Sequence, residues 1–241
     1  MSWLDRLRGP DRTLARALAA WQAGDHRTAL DLWAPLAHRG NARAQSNMGA
    51  AFLEGQGVER DRDKAVAWLT LAAEQGDLGG QRNLARCFFE GWGVPHDPAA
   101  ARAWYDKAAR QGDPEAQDML SWMALTGEGG EPDYLAARDW AEKAAAAGSV
   151  DAMARLGDIH HNAWGVARDP ARAAEWWRRA AEQGHAAAQA MLGAAYLSGA
   201  GVPRDREQAV AWLRKAEEGG AAELAAGFLA RARNDSPQSA S

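Results

Sequence analysis

Apolar residues recur along this chain at helical spacing, in short blocks separated by glycine-rich breaks. From Asn41 to Gly76, the residues Ala44, Met48, Gly49 and Phe52 fall on one stripe of a first helix, because side chains three and four apart share a helix face. Gly55-Gln56-Gly57-Val58 breaks the stripe, since glycine ends a helix at positive φ without steric cost, and Val58 plugs the turn. Asp61 is placed to cap a second helix by accepting hydrogen bonds from its free amides. Ala65, Trp68 and Ala72 give that helix its buried stripe, which Gly76 terminates.

The block then recurs. Gly40, Gly76, Gly112, Gly148, Gly184 and Gly220 stand 36 residues apart, and Trp68, Trp104, Trp140, Trp176 and Trp212 keep the same step. So do Gly57, Gly93, Gly129, Gly165 and Gly201, and Asp61, Asp97, Asp133, Asp169 and Asp205. A fixed period of this length marks stacked supersecondary units, none of which can bury its apolar stripe alone. Pro98 and Pro170 follow the capping aspartate, where proline loses no needed hydrogen bond, and Asp113-Pro114 restarts the next unit by the same chemistry. Small residues in the Gly49 column (Ala85, Ser121, Gly157, Gly193) let another helix approach closely.

In its columns, seen most fully from Ala188 to Tyr196 and then at Gly199, Gly201, Val202, Asp205, Ala209, Trp212 and Ala216, the chain resembles the Sel-one-like repeat family. The resemblance implies an all-α fold: a right-handed α/α superhelical solenoid of about six helix-hairpin repeats with a C-terminal capping helix, related to tetratricopeptide repeats. The expected organisation is an N-terminal segment (1–10), a short tetratricopeptide-like first repeat (11–40), five repeats of 36 residues (41–220), a capping helix (221–233) and a disordered tail (234–241). Pro35 is expected to kink the second helix of the first repeat. Trp3, Leu4 and Leu7 are expected to dock on that repeat as a cap.

Formal net charge is -4, so the chain carries no electrostatic footprint for nucleic acid or anionic lipid. The single cysteine, Cys87, leaves no intrachain disulfide and fits a reducing compartment. No secretory signal opens the chain, and no apolar stretch approaches the ~20 residues that span a bilayer. A cytoplasmic protein is expected; its oligomeric state stays open, with Glu217, Glu218 and Glu223 favouring a solvent-facing end and a monomer.

A search for chemistry returns little. The chain has no S-x-x-K motif, no G-x-S-x-G elbow and no H-E-x-x-H helix. Its G-x-G turns lack the strand and lysine of a phosphate loop and read as helix punctuation. His160-His161 is the one titratable oddity: neighbours on a helix point about 100° apart, so the pair cannot chelate one metal. His160 takes the column of Phe52, Phe88 and Tyr196, where a hydrogen-bonded packing histidine is expected. Cys87 reads as a small buried hydrophobe. No catalytic residue, metal or cofactor is assigned.

By resemblance to tetratricopeptide geometry, the first helices line a concave wall carrying the columns of Ser46, Ala50, Leu53 and Glu54. Those columns are most diverse in the middle repeats, where Arg82, Arg86, Phe89, Asp118, Trp122, Asp158 and His161 form the expected partner-binding patch. Arginine and tryptophan dominate interface energetics. The plainer alternative is a solvated groove whose Arg–Asp pairs satisfy one another across repeats, each contributing ~0–1 kcal/mol. Trp92 and Trp164, at the tips of G-x-G loops, offer a weaker second surface or pack onto the adjacent repeat. The expected function is a non-catalytic scaffold binding another protein in its groove. The resemblance also admits an immunity protein neutralising a secreted effector and, remotely, a β-lactam-binding or hydrolysing enzyme.

Overall fold

Cap chemistry sets where the helices begin. Asp61, Asp97, Asp133, Asp169 and Asp205 each accept the backbone N–H three residues on, at 2.9–3.0 Å. The other helix of each repeat is capped by a chemically mixed column, Asn41, Asp77, Asp113, Ser149 and His185. The computed structural model describes residues 10–234. Thirteen helices follow one another there: α1 (Pro10–Gln22), α2 (His26–His38), α3 (Ala42–Glu54), α4 (Arg62–Glu74), α5 (Leu78–Glu90), α6 (Pro98–Arg110), α7 (Pro114–Thr126), α8 (Tyr134–Ala146), α9 (Val150–Asn162), α10 (Pro170–Glu182), α11 (Ala186–Ser198), α12 (Arg206–Glu218) and α13 (Ala222–Asn234). No strand occurs among the described residues.

The chain folds as two compact units, the division falling within α7. In the first, which runs to Ala116 and takes in residues 128–130, α1 pairs with α2, α3 with α4 and α5 with α6, and the hairpins stack through α2–α3, α4–α5 and α3–α5. In the second, residues 117–127 with the described residues from Glu131 on, α9 pairs with α10 and α11 with α12, α8 packs on α9, α10 on α11, and α13 lies against α11 and α12. The all-α helix-hairpin repeat expected from the sequence is the fold observed. α13 extends one residue past the expected tail boundary, to Asn234, and α2 runs through Pro35 without a break. The expectations for Trp3, Leu4 and Leu7 and for the tail beyond Asn234 lie outside the described residues.

The tryptophan column does not form the centre of the seam. Trp68, Trp104, Trp140, Trp176 and Trp212 are half-buried, while the next residue in each helix, Leu69, Tyr105, Ala141, Trp177 or Leu213, is at most 3% exposed. One residue is a 100° turn of the helix, so the two columns straddle the contact line. The inner column faces the small-residue column of the same hairpin: a Cβ on Gly49 would come within 2.6 Å of Leu69 Cγ, and one on Gly193 within 2.7 Å of Leu213 Cγ. The half-buried indoles keep one accessible face. Over it, one turn on, lie Lys107 (3.6 Å), Lys143 (4.0 Å), Arg179 (4.2 Å) and Lys215 (4.3 Å), each contact contributing roughly 0.5–1 kcal/mol at such sites.

A second, polar column joins successive hairpins. Gln45, Gln81 and Gln189 are buried and donate to the carbonyls of Ala37, Ala73 and Ala181, eight residues back. Gln75 and Gln111 then donate to the side-chain oxygens of Gln45 and Gln81 at 2.6 and 2.7 Å. Each glutamine amide thus adds a second donor to a helix-end carbonyl that already accepts from the glycine three residues on, and its own buried N–H finds a partner.

Ala163 breaks the loop rule. It ends α9 at φ 61°, the place that glycine takes at Gly55, Gly91 and Gly199. The left-handed region costs an L-residue roughly 1–2 kcal/mol, against which glycine's extra chain entropy offsets roughly 0.5–1 kcal/mol. Ala163→Gly is therefore expected to stabilise the protein by about 0.5–1 kcal/mol, read as a higher urea midpoint with an unchanged slope.

Candidate functional site

The residues singled out from the sequence fall in both units. In the first, Arg82 on α5 reaches Asp113 (3.0 Å) and Glu115 (3.2 Å), and Arg86 reaches Glu54 on α3 (2.9 Å). Phe89 meets the His96 ring edge-on at 6.2 Å. Two guanidiniums lie over the Trp92 ring, Arg62 at 5.0 Å and Arg86 at 5.4 Å. Its indole is laid down on the preceding hairpin, packed against the cluster around Leu69 and Leu84.

In the second unit, Asp118 on α7 holds Arg155 at 2.7 Å and accepts from Ser149 Oγ at 3.2 Å. Trp122 is half-buried on the same helix. Trp164 stacks on Tyr134 at 6.3 Å, again against the preceding hairpin. Asp158 and His161 on α9 both engage Trp177 of α10: the indole Nε1 donates to Asp158 Oδ1 at 3.0 Å, and the His161 ring sits 5.2 Å from the indole.

The wall columns are less open than tetratricopeptide geometry implied. Ser46, Ala154 and Ala190 in the first column, and Leu53 in the third, are buried. These repeats stack closely enough that the first column serves packing between neighbouring hairpins: a Cβ on Gly79 of α5 would come within 3.0 Å of Ser46 Oγ on α3.

An open cavity forms where the sequence looked blandest. A pocket of about 310 Å³ lies among α9, α10, α11 and α13 of the second unit, lined by His161, Trp177, Met191, Leu197, Phe228 and Arg231 among others. Small side chains on α11, Ala194 and Ala195, leave room that α13 covers only in part. Phe228 and Leu229 hold α13 down on the Leu213–Ala225 cluster. The walls are mostly apolar and the polar groups, His161, Ser198 and Arg231, are few. That is the composition of a site for an apolar group with one polar anchor. The sequence missed it because α13 lies outside the 36-residue pattern.

Asp158 stands behind this pocket. Burial pushes its carboxyl above the ordinary range, opposed by the Trp177 hydrogen bond and by His161, His185 and Arg155. A carboxyl whose folded pKa is raised contributes stability below its unfolded pKa and loses it as pH rises through the folded value. Ionised Asp158 is thus a cost at neutral pH. Asp158→Asn keeps an oxygen for Trp177 and removes the charge. It is expected to stabilise the protein at pH 7, the gain shrinking to nothing on acidification below the unfolded aspartate pKa of ~3.9; paired urea titrations at the two pH values read it.

Two further sequence expectations are settled by environment. Cys87 is fully buried, and burial pushes its thiol up to about 11, so it is held as the unreactive thiol. His160 takes the ring column as expected and is 5% exposed, but the hydrogen bond expected for it is missing: Nδ1 has no protein partner. Among the described residues, no three His, Cys, Asp or Glu side chains stand close enough to hold one metal ion, and no helix is long and apolar enough to cross a membrane.

Comparison with known proteins bears on the fold. The Sel1 repeat model matches the chain five times, over residues 42–77, 79–113, 114–149, 150–185 and 186–220. Among solved structures, the chain is similar to c5321, a protective antigen of uropathogenic Escherichia coli displaying an SLR fold, with a TM-score of 0.83 and 30% identity over 90% of this chain and 47% of that one. It is also similar to a Sel1 repeat protein from Oxalobacter formigenes, with a TM-score of 0.80 and 29% identity over 86% of this chain and 85% of that one. The chain therefore spans about half the length of the E. coli antigen, 47%. No curated protein sequence matches it.

Proposed function

The chain belongs to the Sel1 repeat family, and from that premise we propose that it is a non-catalytic interaction scaffold whose second unit receives an apolar side chain of a partner protein. The pocket among α9, α10, α11 and α13 carries this reading. It has a buried indole for a floor, Leu197 and Phe228 for walls, and a guanidinium on the rim. Trp and Arg beside a concave apolar surface are the anchors that concentrate binding energy in interfaces. Arg231 lines the pocket 5.9 Å from the Phe228 ring; an acidic residue beside the partner's apolar anchor would pair with it. His161 is the member of the sequence-derived patch that lines this pocket. Arg82, Arg86 and Asp118 contribute less on this account, because Asp113, Glu115, Glu54 and Arg155 already take up their charges.

Site-directed photocrosslinking tests the placement. A benzophenone side chain at Ala194 is expected to trap a protein partner from the producing cell, and the same group in place of Arg86 to trap it poorly. Trapping at Arg86 with none at Ala194 would move the binding surface to the first unit.

A further inference from the structure

The second unit holds another cavity, of about 260 Å³, which takes His160 of α9 in its lining where the first cavity takes His161. Arg138 and Glu142 of α8, His160 of α9, Arg168 and Asp169 of the loop, and Arg172 of α10 line it. Three other repeats provide internal controls, since the positions equivalent to His160 and Arg138 are Phe52 with Leu30, Phe88 with Val66, and Tyr196 with Ala174, while the remaining repeat has Ala124 with Arg102. Each of the first three pairs packs within an apolar cluster. Arg102 repeats the guanidinium but faces an alanine column position; only at His160 does an imidazole join the guanidinium, with two more guanidiniums lining the same cavity.

The polar groups are only partly used by the protein. Arg138 contacts Asp139 (2.6 Å) and Glu142 (3.7 Å), Arg172 contacts Asp169 at 3.8 Å, and Arg168 Nε donates to the His161 carbonyl at 3.1 Å. A guanidinium has five N–H donors, so each keeps several for a ligand. Asp169 is itself engaged in capping α10 through the Arg172 amide, at 3.0 Å. His160 lines the cavity; its Nδ1 is closed off from solvent and has no protein partner, so a ligand in the cavity can meet the imidazole only through Nε2. Burial first, then Arg172 and Arg138, hold its imidazole below the ordinary pKa against the pull of Asp169 and Glu142.

We propose that this pocket binds a phosphate-class oxyanion, gripped by Arg138, Arg168 and Arg172 with the His160 ring as the inner donor. A carboxylate presents its roughly four acceptor sites in one plane, whereas a tetrahedral phosphate carries more charge and turns its oxygens in several directions, which suits guanidiniums arriving from α8, the loop and α10. The source is free phosphate or a phosphorylated side chain, which present the same group.

Isothermal titration of the full chain with inorganic phosphate, chloride being exchanged to hold ionic strength constant, tests the site. Saturable one-to-one binding is expected, weakened at least about tenfold by Arg138→Gln or Arg172→Gln. His160→Phe restores the ring of the column and is expected to abolish binding while leaving the helical circular dichroism intact. Should that variant misfold, Arg172→Gln decides alone, its side chain being exposed. A phosphoserine peptide binding more tightly than inorganic phosphate assigns the group to a protein, and equal or weaker binding assigns it to the free ion; either supports the site. No saturable heat up to about 10 mM phosphate, or affinity unchanged in the arginine variants, overturns it.

Discussion

Trp177→Ala is expected to lower the free energy of unfolding by about 3–5 kcal/mol. Trp177 is 2% exposed and belongs to the largest core cluster of the second unit. Its indole lies directly against the Cα of Gly157, so close that a Cβ there would collide with the ring. Truncation opens a cavity between two helix backbones that are held apart by the ring and cannot readily collapse. It also strips Asp158 of its indole donor, leaving a half-buried carboxylate with one fewer partner. Urea denaturation followed by far-ultraviolet circular dichroism measures the loss. A change under about 1 kcal/mol would show that the indole is not the keystone of its hairpin pair.

Gly201→Ala is the second large effect, about 2–4 kcal/mol of destabilisation. Gly201 has φ +76°, and the carbonyl of Pro170, the first residue of α10, occupies the space that a Cβ would take. The left-handed backbone alone costs roughly 1–2 kcal/mol, and forcing the loop off the helix end adds roughly 1–3 kcal/mol. Gly184 separates the two contributions. It has φ +91° with no atom within 4 Å of a Cβ, so Gly184→Ala should show the backbone part only. Equal losses in the two variants would mean that loop-to-helix docking contributes nothing. Gly93 and Gly129 meet the first residue of α4 and of α6 in the same way, so the glycine column records a recurring contact between hairpins as well as a turn.

The repeat made the helices legible. Asp61 and its column cap where the spacing put them, Gly49 and its column face a close neighbour, and Val58, Val94, Val166 and Val202 pack under their loops. The seam itself was misplaced by one residue, because tryptophan announces burial in a sequence and the varied column beside it does not. Leu69, Tyr105, Ala141, Trp177 and Leu213 share only their inward direction. The buried glutamines escaped notice for the opposite reason: a polar residue at constant spacing reads as surface until its carbonyl partner eight residues back is located.

The candidate sites were legible in part. His161 and Asp158 stood out as departures from the pattern, and both touch Trp177. Their meaning depended on α13, whose Phe228 and Arg231 have no counterpart at the 36-residue step. Arg138 and His160 lie 22 residues apart on different helices, a separation at which no motif is written. Arg82 and Arg86 were visible as charges, but the acidic groups that answer them, Asp113, Glu115 and Glu54, belong to neighbouring hairpins.

The scaffold reading rests on the apolar pocket of the second unit, and one dissociation constant tests it most directly. With the crosslinked partner purified, its Kd is measured for the unaltered chain and for Ala194→Glu, which places a charge in the pocket. Binding weakened by at least about thirtyfold, with helix content and melting temperature preserved, is the predicted result. An unchanged Kd in a folded Ala194→Glu protein would contradict it.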